Sequence, residues 1–186
     1  PHARRKNSLL PRVRARSLHG PARTPVLRLT ASVNAPPYSS HRRMRIAAGI
    51  LGLATVVTVA IFLDLGRPDF WDPGESRYVE TVREMIVTGN WLDPTLGFLR
   101  YYDKPPGYFW LVGGAFAAFG QSEWAARLPS ALAAVLTIAL VVSFAWQRLG
   151  PRAALGAGVV LATAVQFVVL GRSVRMDMVL TLLMTA

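Results

Sequence analysis

Three stretches of this chain, 46–63, 128–147 and 153–171, run for 18, 20 and 19 residues without a charged side chain. At about 1.5 Å per residue, each is long enough as a helix to reach across most of a hydrocarbon core about 30 Å thick. Lipid offers no partner for a bare N–H or C=O, so segments of this kind have to satisfy their own backbone. The expected fold class is therefore all-α, built from multi-pass membrane helices. Composition agrees, with 52% hydrophobic and 17% charged residues, the balance of a membrane protein rather than a soluble domain.

The net charge of +11 points at first to nucleic acid, but its placement argues against that partner. Eleven Lys or Arg and no acid precede residue 46, whereas the remainder holds ten of each sign. Cysteine is absent, and His2, His19 and His41 all lie in the leading segment. Disulfides, thiolate metal sites and a histidine base are thereby excluded from the rest, and carboxylates must carry any acid–base work. Residues 1–45 are rich in Arg, Pro and Ser without periodicity and are expected to be a disordered basic tail. They read as a transit peptide, as a lipid-touching basic run, or, preferred here, as non-native sequence upstream of a start at Met44.

A first span is expected over about 46–65. Arg42, Arg43 and Arg45 orient it outward, and it reads as an uncleaved anchor because no small-x-small cleavage site precedes Asp64. Tyr78, Val79, Val82, Met85 and Ile86 then recur at helical spacing, with Arg77, Glu80, Thr81 and Glu84 on the other side. This predicts an amphipathic interfacial helix over 74–88. A second interfacial helix is expected over 107–119, whose dense apolar part covers only about 18 Å and falls short of a crossing. Further spans are expected at 127–147 and 153–171, joined by a link whose Arg148 and Arg152 belong on the cytoplasmic side. Another begins at 177–186, so 46–186 reads as the N-terminal part of a larger polytopic protein. The scheme leaves Arg172 and Arg175 outside beside Asp177, which calls for a functional reason such as an anionic headgroup.

Asp72-Pro73-Gly74-Glu75 is a helix-start pattern, with Asp72 as N-cap, Pro73 at the first helical position and Glu75 at N3. Tyr101-Tyr102-Asp103-Lys104-Pro105-Pro106 places two charges where the chain enters a lipid-associated helix, with the backbone fixed by the prolines. An interfacial belt would account for the tyrosines and a snorkelling Lys104, but not for Asp103. Asp177 stands at a membrane helix start, either as an N-cap or as a functional acid. Together, Glu75, Asp103 and Asp177 with Arg77, Lys104, Arg172 and Arg175 would supply carboxylate bases and cations able to neutralise a phosphate leaving group.

The order Trp71-x-Pro73-x-Glu75-x-Arg77-Tyr78-x-Glu80, Arg83-Glu84-Met85, Gly89-Asn90-Trp91, Tyr101-Tyr102-Asp103-Lys104-Pro105-Pro106 and Glu123-Trp124-Ala125-Ala126-Arg127-Leu128-Pro129-Ser130 resembles polyprenyl-phosphate-sugar-dependent glycosyltransferases of the GT-C fold. Within the protein O-mannosyltransferase superfamily (glycosyltransferase family 39), the nearest group is the lipid A aminoarabinose transferases. The resemblance covers about 71–186. It implies a multi-spanning enzyme of the cell inner membrane with two juxtamembrane helices in its first external loop. The active-site loop would be extracytoplasmic, the donor a polyprenyl-phosphate-linked sugar, and the acceptor a lipid, glycan or protein.

By position, Glu75, Arg77 and Tyr78 match the family's Asp-Glu-x-Arg-Tyr motif. Tyr101, Asp103 and Lys104 match its Tyr-Phe-Glu-Lys-Pro motif, and Asp177 matches an acid of its second external loop. The first acid of the Asp-Glu pair is replaced here by Gly74, and Asp103 is one methylene shorter than the family's Glu. The expected catalytic acids are Glu75, Asp103 and Asp177, and the expected substrate-binding residues are Arg77, Tyr78, Tyr101, Lys104, Arg172 and Arg175. A divalent cation is compatible with these acids and required by none of them. This stretch alone is not expected to turn over. The opposing reading is a polytopic transporter or a non-catalytic polyprenyl-lipid-binding protein, which the clustering of charge at the interface rather than at mid-bilayer disfavours.

Overall fold

The computed structural model describes residues 38–70 and 73–186, with side chains from His41 onward. Along these residues the elements are α1 (Tyr38–Phe62), α2 (Gly74–Thr88), β1 (Thr95–Leu96), β2 (Leu99–Arg100), α3 (Gly107–Phe119), α4 (Glu123–Leu149), α5 (Pro151–Thr163), α6 (Val165–Gly171) and α7 (Asp177–Thr185). The helical membrane architecture is the one expected. Among the described residues α1 and α4 are each long and apolar enough to cross a membrane, and α5 with α6 adds a third crossing if counted as one bent span.

Three boundaries differ from expectation. Helix α1 begins at Tyr38 rather than near residue 46, so the basic run belongs to the helix. Arginine is a good helix former, and extending an existing helix costs far less than starting one. The rest of the disordered-tail expectation, 1–37, lies outside the described residues, as does Asp72. Pro73 takes the N-cap position of α2, one residue after Asp72, where the cap was expected. The run 153–171 is not one straight span: α5 and α6 meet at 68°, because the Ala164 backbone leaves the helical region at φ −67 and ψ 113.

Helix α4 organises the rest, packing on α1, α3, α5, α6 and α7. Its start is fixed by Ser122, whose Oγ accepts the Ala125 N–H at 3.2 Å, and by Glu123 in its positive first turn. Farther along, Ala131, Ala134 and Ile138 pack with Val57, Ile61, Leu65 and Met178. Small side chains let the helices approach closely: a Cβ on Gly171 would stand 2.9 Å from that of Ala134. A second core joins Val82 and Met85 of α2 to Phe109, Val112 and Phe116 of α3 and Ala125 and Ala126 of α4.

Part of the far face of α2 is covered as well, where a polar surface was expected, while Arg77 stays exposed. Thr81 and Glu84 are both 0% exposed. The cover is the hairpin β1–β2, paired Thr95 to Arg100 and Leu96 to Leu99. Gly97 and Phe98 both have positive φ, 64° and 60°, as a two-residue type I′ turn demands. Phe98 is an unusual residue for that conformation, and its N–H is held by Glu84 at 3.0 Å. The Thr95 hydroxyl donates to the same carboxylate.

Candidate active site

The bend between α5 and α6 brings the link 172–176 against the first turn of α2 and the first turns of α4. Val174 N–H donates to Glu75 Oε1 at 2.7 Å. The Ser130 hydroxyl donates to the Arg175 carbonyl at 3.0 Å and pairs with the Tyr108 hydroxyl at 2.8 Å. Four sequence-distant elements therefore meet at one place, with a buried floor and an open rim.

Glu75 belongs to the floor. It is 4% exposed and faces Arg127, itself 3% exposed. Arg127 Nε reaches Glu75 Oε1 at 3.1 Å and Nη2 reaches Oε2 at 2.9 Å. The remaining donors of Arg127 go to the carbonyls of Leu65, Pro68 and Asp69 at 2.9, 2.8 and 3.1 Å. Its guanidinium also lies 5.4 Å from the Phe70 ring centroid. One buried arginine thus gathers the segment leaving α1, the start of α2 and, through Glu75, the 172–176 link. Such a charge survives burial only when paired and fully hydrogen-bonded.

The rim holds most of the other expected residues. The Tyr101 hydroxyl donates to Asp103 Oδ2 at 3.2 Å, and Lys104 Nζ stands 3.6 Å from the same oxygen. Burial raises the Tyr101 pKa above its usual 10.0, and the Asp103 hydrogen bond and charge push it the same way. The Tyr78 pKa is raised too, first by burial and then by the Asp177 charge, with Arg175 opposing and Asp103 adding to the rise. Tyr78, Tyr101 and Met176 pack on the same core cluster, so the segments that carry Asp103 and Asp177 both border it. The Tyr78 ring packs edge-on against Tyr108 at 5.4 Å. Asp177 occupies the first turn of α7 with Met176 as the N-cap residue, so the capping alternative does not describe it. Arg77, Asp103, Arg175 and Asp177 are exposed, and Tyr78, Tyr101 and Lys104 half-buried.

Gly74 has a consequence for the rim. A Cβ built there would lie 2.9 Å from Arg175 Nη2, so the guanidinium rests on the bare backbone at the start of α2. Arg172 is not brought to this place. Its Nη1 donates to the carbonyls of Ala60 and Ile61 at 3.0 and 3.4 Å, among the last carbonyls of α1, which lack a partner within the helix. Among the described residues no group of three or more His, Asp or Glu side chains is arranged to hold a metal ion.

Sequence reasoning passed over Arg127, Glu84 and Ser130. Arg127 carried a usable signal, since a cation at the edge of a 20-residue uncharged run needs a buried partner or a reason to be there. Glu84 carried none, because helical spacing put it on the polar side and only the hairpin reveals its burial.

Similarity to known proteins decides what this arrangement belongs to. Residues 103–186 match the family model described as dolichyl-phosphate-mannose-protein mannosyltransferase. The undecaprenyl phosphate-alpha-4-amino-4-deoxy-L-arabinose arabinosyl transferase of Edwardsiella ictaluri is 34% identical over 144 residues, 77% of this chain and 26% of the relative. The like-named protein of Pseudomonas savastanoi pv. phaseolicola is 38% identical over 100 residues, 54% of this chain and 18% of that one. The crystal structure of ArnT from Cupriavidus metallidurans bound to undecaprenyl phosphate superposes with a TM-score of 0.68 at 32% identity, covering 73% of this chain and 25% of that chain. This is a GT-C membrane fold like that of the aminoarabinose transferases. The chain is a multi-pass membrane structure that spans about a quarter or less of the length of the curated relatives it matches. Between α1 and α4, α2 carries Arg77 and Tyr78, and Tyr101, Asp103 and Lys104 lie on the segment that leads into α3.

Proposed function

We propose that the protein carrying this sequence transfers a sugar from a polyprenyl-phosphate donor to a lipid, glycan or protein acceptor on the extracytoplasmic face of the cell inner membrane. The observation that carries this reading is that Asp103, hydrogen-bonded by Tyr101 and paired with Lys104, and Arg175, resting on Gly74, lie on segments packed on the same core as Tyr78. Lys104, Arg77 and Arg175 receive the donor phosphate, where clustered cations offset the charge that develops on the leaving group. Asp103 and Asp177 supply the carboxylates for activating an acceptor and orienting any divalent cation. Neutral Tyr78 presents a phenol donor toward the sugar, while the Tyr101 hydroxyl holds Asp103 in place.

Glu75 acts in this scheme as a positioning residue, because its carboxylate is committed to Arg127 and Val174. Arg172 supports the site by closing the end of α1. The test is sugar transfer by the complete protein in membranes. Lys104→Ala and Asp103→Asn each lower turnover by about two orders of magnitude, the scale of a lost charge-stabilising group, with membrane insertion intact. Turnover unchanged in both variants would sink the proposal. A transporter finds no support here, since the charges gather on interfacial helices and not at mid-bilayer breaks.

A further inference from the structure

At the other end of α1, where the chain enters that helix, lies a cleft of about 1210 Å3 between the start of α1 and the link from α4 to α5. Arg42, Arg43 and Arg45 line it from α1, Arg152 from α5, and His41 adds a fifth basic side chain. Among the described residues no carboxylate lines it. The five ion pairs among the described residues all fall between residues 64 and 127, so none of these arginines is neutralised. Helices α1 and α5 are in close contact just inside, where a Cβ on Gly49 would lie 2.6 Å from Leu155 and one on Gly158 2.6 Å from Leu53. The packing that joins the two helices therefore also brings their terminal cations together, and like charges held in one cleft repel unless an anion enters.

The cleft has an apolar side as well. Leu149 and Leu155 line it, and Leu149, Ile50 and Leu51 are 72%, 50% and 70% exposed, continuing an apolar surface along α1 and the end of α4. An anionic head in contact with four guanidinium groups and chains running along that surface describe an amphiphile rather than a free anion. Four guanidiniums match two phosphates, each taking a pair of forked contacts. Basic pockets between membrane helices are known places for such headgroups.

We propose that, in the chain that carries Arg42 and Arg43 in α1, this cleft binds an anionic glycerophospholipid with two phosphodiesters in its headgroup, at a site separate from the Tyr78–Asp103 rim. The full-length protein in detergent is titrated with cardiolipin, phosphatidylglycerol, phosphatidylethanolamine and inorganic pyrophosphate, and bound species are counted by native mass spectrometry. Cardiolipin is expected to bind best. Arg45→Gln with Arg152→Gln weakens it roughly 30-fold, taking about 1 kcal/mol per arginine. Arg45→Lys with Arg152→Lys, which keeps the charge, retains most of the affinity and shows that the loss is not misfolding. Equal binding of cardiolipin and phosphatidylethanolamine overturns the proposal, as does a Gln variant that binds like the parent. Pyrophosphate binding as tightly as cardiolipin overturns the lipid and leaves an anion site.

Discussion

The guanidinium of Arg127 and the carboxylate of Glu75 meet through two hydrogen bonds of 3.1 and 2.9 Å although 52 positions separate them. Both side chains are about as hidden as the apolar core around them, 4% and 5% exposed. Removing either partner strands the other as a buried charge, a loss of about 3–5 kcal/mol. Glu75→Ala and Arg127→Ala are therefore expected to lower the thermal midpoint in detergent sharply, followed by tryptophan fluorescence. Glu75→Gln, which keeps an acceptor for Val174, should lose less stability. Parent-like melting of both alanine variants would remove the clamp from the account.

Glu84 holds the hairpin that leads into Tyr101, through Thr95 and Phe98. Its loss leaves the part-buried Phe98 N–H without that acceptor, a cost toward the low end of about 1–3 kcal/mol, concentrated in a surface loop. Glu84→Ala is expected to speed proteolytic cutting near Gly97 and to weaken polyprenyl-phosphate binding about tenfold, because Lys104 loses its fixed approach. A cutting rate equal to that of the parent would show that the hairpin is held by other contacts.

Arg175 lies on Gly74 at a distance that leaves no room for a Cβ without movement. Gly74→Asp places a carboxylate beside the guanidinium and neutralises it. Donor phosphate affinity should then fall by about tenfold, roughly 1.4 kcal/mol, and Gly74→Ala should fall less, since only the end of a flexible side chain has to shift. Binding of a polyprenyl phosphate to the two variants reads the difference. Equal affinity in parent and Gly74→Asp would take Arg175 away from the phosphate.

Tyr78 and Tyr101 both have pKa values raised above 10.0 by burial and by the acids beside them. A raised folded-state value means the native state holds the proton more tightly than the unfolded chain. The stability this gives is complete below the ordinary phenol value and is lost as pH rises through the folded-state value. Alkaline unfolding should therefore begin above pH 10.0, with phenolate absorbance appearing alongside it. Tyr78→Phe removes one titrating group and should flatten that fall in stability; a fall of unchanged slope would mean that other groups drive it.

Much of the scaffold was readable from residue order. Uncharged runs gave α1 and α4, and the alternation of Tyr78, Val82 and Met85 with charged neighbours gave α2, because apolar burial and backbone pairing in lipid act on local sequence. The hairpin at 95–100 was not readable, since strands of two residues leave no periodic signal and a turn at Gly97–Phe98 lacks the usual Asn-Gly. The bend at Ala164 was not readable either. No proline marks it, and it is decided by how α6 packs on α4 beside Gly171.

The site divides along the same line. Residue order supplied the acids and cations at positions 75–77, 103–104 and 172–177, since charged groups beside apolar runs are expensive and stand out, and the family resemblance added Tyr78 and Tyr101. Only the folded chain decided which of them share a rim and which are spent inside. Glu75 went to a buried arginine, Arg172 to the end of α1, and Arg175 to the bare face of Gly74. Those assignments follow from which donors and acceptors packing leaves without water, and that is fixed by contacts between segments tens of residues apart.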